Sequence, residues 1–254
     1  HVPEDKQVLM ITKDEVERSD SFLAQGGICV LRDETDYDSF MEDTLKAGHY
    51  ENRIESVDIM IRSSRDVIRE LIDYGVDFAK KDGELDYTRE GCHSKPRILF
   101  HEDITGEEIT SKLLKAVRTR SNVTILEHVT MLDLVEKDNR CYGVVASQVN
   151  GEDCFLKAEY TILALRHHIE LEHIDYIQIH PTTLYSKKPG RRFLISESVR
   201  GEGAKLYGAA GKRFANEVLP RDLLTAEIRK QMEKDQTPYV WLDMTVLGEE
   251  VIKS

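Results

Sequence analysis

Residues 105–127 read "TGEEITSKLLKAVRTRSNVTILE", and a change of period inside this stretch decides the fold class. Thr105, followed three residues on by Glu108, has the form of a capping box, in which hydroxyl and carboxylate satisfy the first free N–H groups of a helix. Ile109, Leu113, Leu114 and Val117 then recur at three- and four-residue spacing, which predicts a helix with one apolar face ending near Arg120. "NVTILE" abandons that spacing for a short β-branched run, the pattern of a strand.

Outward from this helix-to-strand step, "VTMLDLVEKDNRCYGVVASQ" (129–148) reads as two strands joined by a polar turn at Asp138 and Asn139, and "FLKAEYTILA" (155–164) as a further buried strand. Upstream, "QVLMIT" (7–12) reads as a buried strand preceded by polar residues and no initiator methionine, as in a chain joined partway through. "DYDSFMEDTLKAG" (36–48) predicts a helix closing at Gly48. In residues 56–75, Val57, Met60, Ile61, Val67, Ile68, Leu71 and Ile72 predict a longer helix stopped by Gly75. Helix, strand, meander and strand in this order predict an α/β nucleotide-binding sheet carrying an antiparallel excursion. No repeat or Pro/Ser linker is visible, so a second domain would be inserted without an announced boundary.

The 254 residues suffice for one large or two modest domains, and 47 acidic against 35 basic residues give a formal charge of −12. That balance argues against nucleic acid or an anionic membrane as a partner, while leaving room for a local basic pocket. Cys29, Cys92, Cys141 and Cys154 form no C-x-x-C pair and no disulfide framework, which fits a reducing cytoplasm. No leader opens the chain and no apolar run approaches the roughly 18 residues of a membrane helix, so a soluble, unexported protein is expected. "AEYTILA" runs into "LRHHIELEHIDYIQIHP" without a turn residue, which reads as a junction where a loop is absent.

"HHIELEH" (167–173) lacks a zinc spacing, so no metal is expected and a solvated helix edge is the better account. "RGEGA" (200–204) fails the dinucleotide fingerprint and reads as a tight turn. His180 in "QIHPTTLY", Ser196, Glu197 and Arg200 in "ISESVRGEGA", and Arg221 in "LPRDLL" lie where strands or loops end. Two arginines and a histidine brought together would make a cleft for a small dianion; alternatively each pairs with a neighbouring acid, as Arg221 could with Asp222. "TREGCHSKPR" (88–97) adds Glu90, His93 and Arg97, with a solvated turn as its plain reading. "DSFLAQGGI" (20–28) places two glycines after an amide side chain, a backbone cleared for close approach by some other group.

"SDSFLAQGGI", "TREGCHSKPRILFHEDITG", "YIQIHPTTLY", "ISESVRGEGA", "GKRFANEVLPRD" and "VWLDMT", in this order and across nearly the whole chain, resemble the L-aspartate oxidases, which belong with the succinate dehydrogenase and fumarate reductase flavoproteins. The resemblance implies an α/β, FAD-binding Rossmann-like domain over 1–174 and an inserted α+β capping domain over 175–254, both incomplete. The family's N-terminal strand with its G-x-G-x-x-G turn, a glycine-rich piece after "YTILA" and the rest of the cap are expected outside the sequence. It further implies oxidation of L-aspartate to iminosuccinate with electrons passed to oxygen or fumarate, in NAD synthesis, and quinolinate synthase as a partner.

Residue by residue, the resemblance has Lys13 and the run Asp20, Ser21, Phe22, Leu23, Ala24, Gln25, Gly26 and Gly27 contact FAD. It lines the dicarboxylate site with His180, Ser196, Glu197 and Arg200, faces Glu90 to the substrate amino group, and gives Arg221 the role of proton donor and acceptor. Asp20 stands where respiratory relatives carry a flavin-linking histidine, so FAD is expected to be non-covalent, and Cys92 replaces a usually small residue. Two other readings compete: a soluble fumarate reductase or succinate dehydrogenase flavoprotein, and an inactive flavin-free fragment.

Overall fold

Helices and strands are mixed along the chain in the computed structural model, which describes residues 2–138, 140–161, 180–188 and 192–248. In chain order they are β1 (Val8–Ile11), β2 (Gly27–Cys29), α1 (Tyr37–Ala47), α2 (Ile54–Asp73), β3 (Lys80–Lys81), β4 (Glu84–Leu85), β5 (Ile98–Phe100), α3 (Thr105–Arg118), β6 (Val123–Leu126), β7 (Thr130–Lys137), β8 (Arg140–Ser147), β9 (Asp153–Lys157), α4 (Glu197–Gly201), β10 (Lys205–Tyr207), α5 (Arg221–Asp235) and β11 (Trp241–Asp243). Packing divides the chain into two units, His1–Leu23 with Thr110–Tyr176 and Ala24–Ile109 with Ile177–Ser254.

In the first unit β1 pairs parallel with β6, Val8 opposite Val123 through Ile11 opposite Leu126. Asn122, just before β6, holds the approach to β1 by donating its amide to the Lys6 carbonyl at 2.8 Å. β7 and β8 form the expected antiparallel pair, and β9, expected as a separate buried strand, joins them as a third strand. Val129, Val144 and Ala146 make its core, with Ile11, Met131, Leu134, Cys154 and Leu156 packed on them. The strand expected over 155–164 is displaced: β9 begins at Asp153 and ends at Lys157, because its ladder with β8 runs out at Gly143. The suspected junction and "HHIELEH" lie outside the described residues, as does Asn139 of the β7–β8 turn.

In the second unit β2 pairs antiparallel with β5, β3 with β4, and β10 with β11. α1 and α2 pack over Leu31, Phe40, Val57 and Ile61; α5 packs over β10 and β11 through Leu206, Leu224 and Ile228. The buried stripe of α2 is narrower than its sequence pattern: Val57, Ile61, Ser64, Ile68 and Leu71 face inward, while Met60, Val67 and Ile72 are exposed. Ser64 belongs to that stripe because its hydroxyl accepts the Leu31 N–H at 2.9 Å and donates to the Ile61 carbonyl at 2.6 Å.

The capping box at α3 does not form. Thr105 Oγ1 accepts the His101 N–H at 2.9 Å and donates to the Gly26 carbonyl, while Glu108 accepts the Asp77 N–H at 2.8 Å. Both side chains serve other segments, and α3 stops at Arg118 with a tighter turn over Thr119 and Arg120.

Candidate substrate and cofactor site

α4 is one turn long, so Glu197 and Arg200, three residues apart, share a face. Both are buried, at 5% and 2% exposure. α4 comes this close to the preceding segment because Gly201 has no side chain: a Cβ there would collide with the Arg89 carbonyl. Arg221 opens α5 behind Pro220. Its guanidinium turns away from adjacent Asp222 and puts Nε 2.6 Å and Nη2 2.5 Å from Glu197 Oε2. Asp222 faces His49 Nε2 instead, at 3.1 Å. Pairing with a neighbouring acid therefore fails as an account of Arg221.

Glu90 and His180 face the same group of charges. Glu90 Oε1 is buried without a hydrogen-bond partner, as are His180 Nδ1 and both Nε and Nη2 of Arg200; Nη1 of Arg200 donates to the Glu217 carbonyl at 2.8 Å, and Nη2 stands 3.6 Å from Glu197 Oε1 in an ion pair without a hydrogen bond. Burial lifts the Glu90 carboxyl to about 7, with the Glu197 and Asp103 charges adding and Arg221 and Arg200 opposing. Burial also holds the His180 imidazolium down, helped by Arg221 and Arg200, and disfavours charge on Arg200. Native interiors leave few buried polar atoms unsatisfied. Two guanidinium donors, an imidazole nitrogen and a carboxylate oxygen, all unmatched in one cluster, complement a small molecule with both acidic and amino groups.

The glycine pair is cleared for protein groups. Gly26 has φ +76, and a Cβ on it would lie 3.2 Å from Glu90 Oε1; a Cβ on Gly27 would collide with the Leu99 carbonyl and the Ile98 side chain. Gly27 is thus required by strand approach and Gly26 by its left-handed backbone. Lys13, Asp20, Ser21, Leu23 and Ala24 are exposed, Phe22 and Gln25 half-buried. Lys13 and Asp20–Leu23 belong to the first unit, Ala24–Gly27 to the second.

"TREGCHSKPR" is not a solvated turn. Arg97 is fully buried and forks onto Asp36 (Nη2–Oδ1 2.8 Å, Nε–Oδ2 3.0 Å) while its third nitrogen reaches Asp43. Guanidinium nitrogens only donate, so the 3.1 Å contact makes His93 Nδ1 an acceptor and leaves the ring proton on Nε2, toward Cys29 Sγ at 3.5 Å. Arg97 is therefore structural. Cys92 adopts φ +66 and lines, with Lys46, His49, His93 and Leu219, a separate cavity of about 530 Å³. Ser196 precedes α4 and places Oγ 2.8 Å from Ser198 Oγ.

Three residues of this region lie inside the quoted motif blocks without an assigned role there. Asp103 binds the Gln25 amide at 2.6 Å. Glu217, 2% exposed, accepts from Leu206 N–H and Arg213 and presents the carbonyl that anchors Arg200. Thr182 is buried and donates to the Ile195 carbonyl at 3.3 Å. Only Glu217 carries a local signal, its four-residue spacing from Arg213. Among the described residues no group of three His, Cys, Asp or Glu could hold a metal ion, and no helix is long and apolar enough to cross a membrane.

Residues 3–167 and 161–254 match the family model of an FAD-binding domain. The L-aspartate oxidase of Clostridium perfringens is 40% identical over 277 residues, covering 99% of this chain and 63% of that protein. The L-aspartate oxidase of Clostridium acetobutylicum is 39% identical, covering 98% and 63%. The chain thus spans less than two thirds of the curated relatives it matches. Among solved structures, a quinol-fumarate reductase with menaquinol molecules superposes with a TM-score of 0.85 at 23% identity, covering 97% of this chain and 51% of that one. The open form of a flavocytochrome c3 fumarate reductase gives 0.70 at 20% identity, covering 98% and 55%. At these identities the likeness is one of fold.

Proposed function

The chain belongs to the FAD-binding domain family of the succinate dehydrogenase and fumarate reductase flavoproteins, whose cofactor is FAD, and on that premise we propose that it oxidises L-aspartate to iminosuccinate. The observation that carries this reading is the set of unmatched buried atoms on Glu90, His180 and Arg200 beside the Glu197–Arg221 pair. Relatives named L-aspartate oxidase at 39–40% identity support it.

In this proposal Lys13 and the run Asp20 to Gly27 hold FAD, without a covalent link at Asp20. FAD, when bound, supplies the two-electron acceptor. Arg200, His180 and Ser196 receive the substrate carboxylates, the guanidinium with the two donors it leaves unmatched. Glu90 attracts the ammonium group, which distinguishes L-aspartate from succinate. Glu197 fixes Arg221 from behind, so that its positive charge faces the substrate and stabilises the anionic character that develops there; Arg221 is also the group that moves a proton.

The functional division, an FAD-binding domain over 1–174 and an inserted capping domain over 175–254, belongs to the same proposal. So do oxygen or fumarate as acceptor, a place in NAD biosynthesis, quinolinate synthase as a partner, and the cytoplasm as location, the last supported by four free cysteines. The test is flavin absorbance of the purified protein, followed by hydrogen peroxide release. Bound flavin with peroxide from L-aspartate is expected. Turnover of succinate alone would replace this reading with the fumarate reductase one, and absence of flavin would leave a binding fragment.

A further inference from the structure

Asp103 lies inside "TREGCHSKPRILFHEDITG" without an assigned role, yet its carboxylate holds the glycine turn that precedes it by 78 residues. Gln25 Nε2 donates to Oδ2 at 2.6 Å, and the nearby Gly26 N–H and Ser196 hydroxyl favour its ionised form. The residues after it grip the other side of the turn: Thr105 Oγ1 donates to the Gly26 carbonyl and the Gly106 N–H to the Ala24 carbonyl at 3.0 Å. The Gln25 amide and the carbonyls of Ala24 and Gly26 are therefore all held by the 103–106 segment. Gly26 is also the residue against which Glu90 packs.

We propose that Asp103 is a positioning residue that clamps the Gln25–Gly26 turn to the 103–106 segment and thereby fixes the wall on which Glu90 meets the amino group of the substrate. The inference rests on the proposed function for the identity of that substrate, and on the hydrogen bonds alone for the clamp. Its electrostatic corollary follows from the charges around Glu90. Glu197 and Asp103 hold the Glu90 carboxyl up, Arg221 and Arg200 hold it down, and Cys29 faces it as a thiol whose own value burial pushes up to about 11. Removing the Asp103 charge lets Glu90 ionise at lower pH.

The test compares intact wild type, Asp103→Asn and Asp103→Ala. Hydrogen exchange at the Gly106 amide, which donates to the Ala24 carbonyl of the turn, is measured without any ligand and decides the clamp: Asp103→Ala is expected to speed exchange by about tenfold or more, and Asp103→Asn, which keeps an acceptor oxygen, by much less. Unchanged exchange in Asp103→Ala overturns the proposal. Calorimetric titration with L-aspartate and with succinate from pH 5 to 9 reads the consequence. The midpoint at which acid weakens L-aspartate binding is expected to fall in Asp103→Asn by about half a pH unit or more, with succinate affinity unmoved. An unmoved midpoint overturns the coupling to Glu90. If wild type binds no L-aspartate at any pH, the proposed function falls instead, and exchange still decides the clamp.

Discussion

Arg221 reaches across 24 residues of sequence to Glu197, Nε to Oε2 at 2.6 Å, and leaves its neighbour Asp222 to His49. The pair is one-third exposed on the arginine side and buried on the glutamate side. Glu197 therefore orients the guanidinium.

Arg221→Ala is expected to lower turnover of L-aspartate by about 10³-fold, since the charge that stabilises the developing anion is lost. FAD content, read by absorbance, should match wild type because Arg221 is not among the proposed cofactor residues. Near-normal turnover would sink its catalytic assignment.

Glu90 must be ionised to attract an ammonium group, and its carboxyl titrates near 7. KM for L-aspartate is expected to fall as pH rises from 6 to 8, approaching tenfold per unit on the acid side. Glu90→Gln should raise KM and flatten that dependence while leaving succinate binding little changed. A pH profile that persists in the variant would assign it to another group.

The same carboxyl makes a stability prediction of definite sign. Its folded value lies above the unfolded one, so stability present below about 4.5 is lost as pH rises through about 7. Glu90→Gln removes this loss. Thermal melts should show the variant gaining on wild type at pH 8, by at most about 3 kcal/mol, and gaining little at pH 4.5.

Arg97 is buried between Asp36 and Asp43. Arg97→Met would leave two carboxylates without their cation, and urea titration should show a loss of about 3–5 kcal/mol. The substrate cluster should keep its relative preference for L-aspartate over succinate in whatever fraction folds.

Gly26→Ala and Gly27→Ala should differ. At Gly26 the cost is a left-handed backbone, about 1–2 kcal/mol, and the added carbon meets the movable tip of Glu90. At Gly27 the added carbon meets the Leu99 carbonyl of β5, a backbone group that cannot yield without breaking the β2–β5 ladder. The larger loss of melting temperature is expected at Gly27.

Local chemistry carried much of the fold. The change of period between α3 and β6, the β7–β8 meander and the extents of α1 and α2 follow from hydrophobic spacing and turn residues, which act over a few residues at a time. Ordered motif blocks likewise supplied the family and named His180, Ser196, Glu197, Arg200, Arg221 and Glu90. Tertiary structure decided what those blocks touch. It gave Thr105 and Glu108 to other segments in place of a capping box, trimmed the buried stripe of α2 around Ser64, and turned Arg97 from a surface residue into a buried ion pair. It paired Arg221 with Glu197, left Glu90, His180 and Arg200 unsatisfied together, and brought Asp103 to the glycine turn 78 residues before it. Spacing along the chain fixes which face of an element a side chain occupies; which charge lies opposite, and whether water reaches it, is set by chain segments that meet only in the fold.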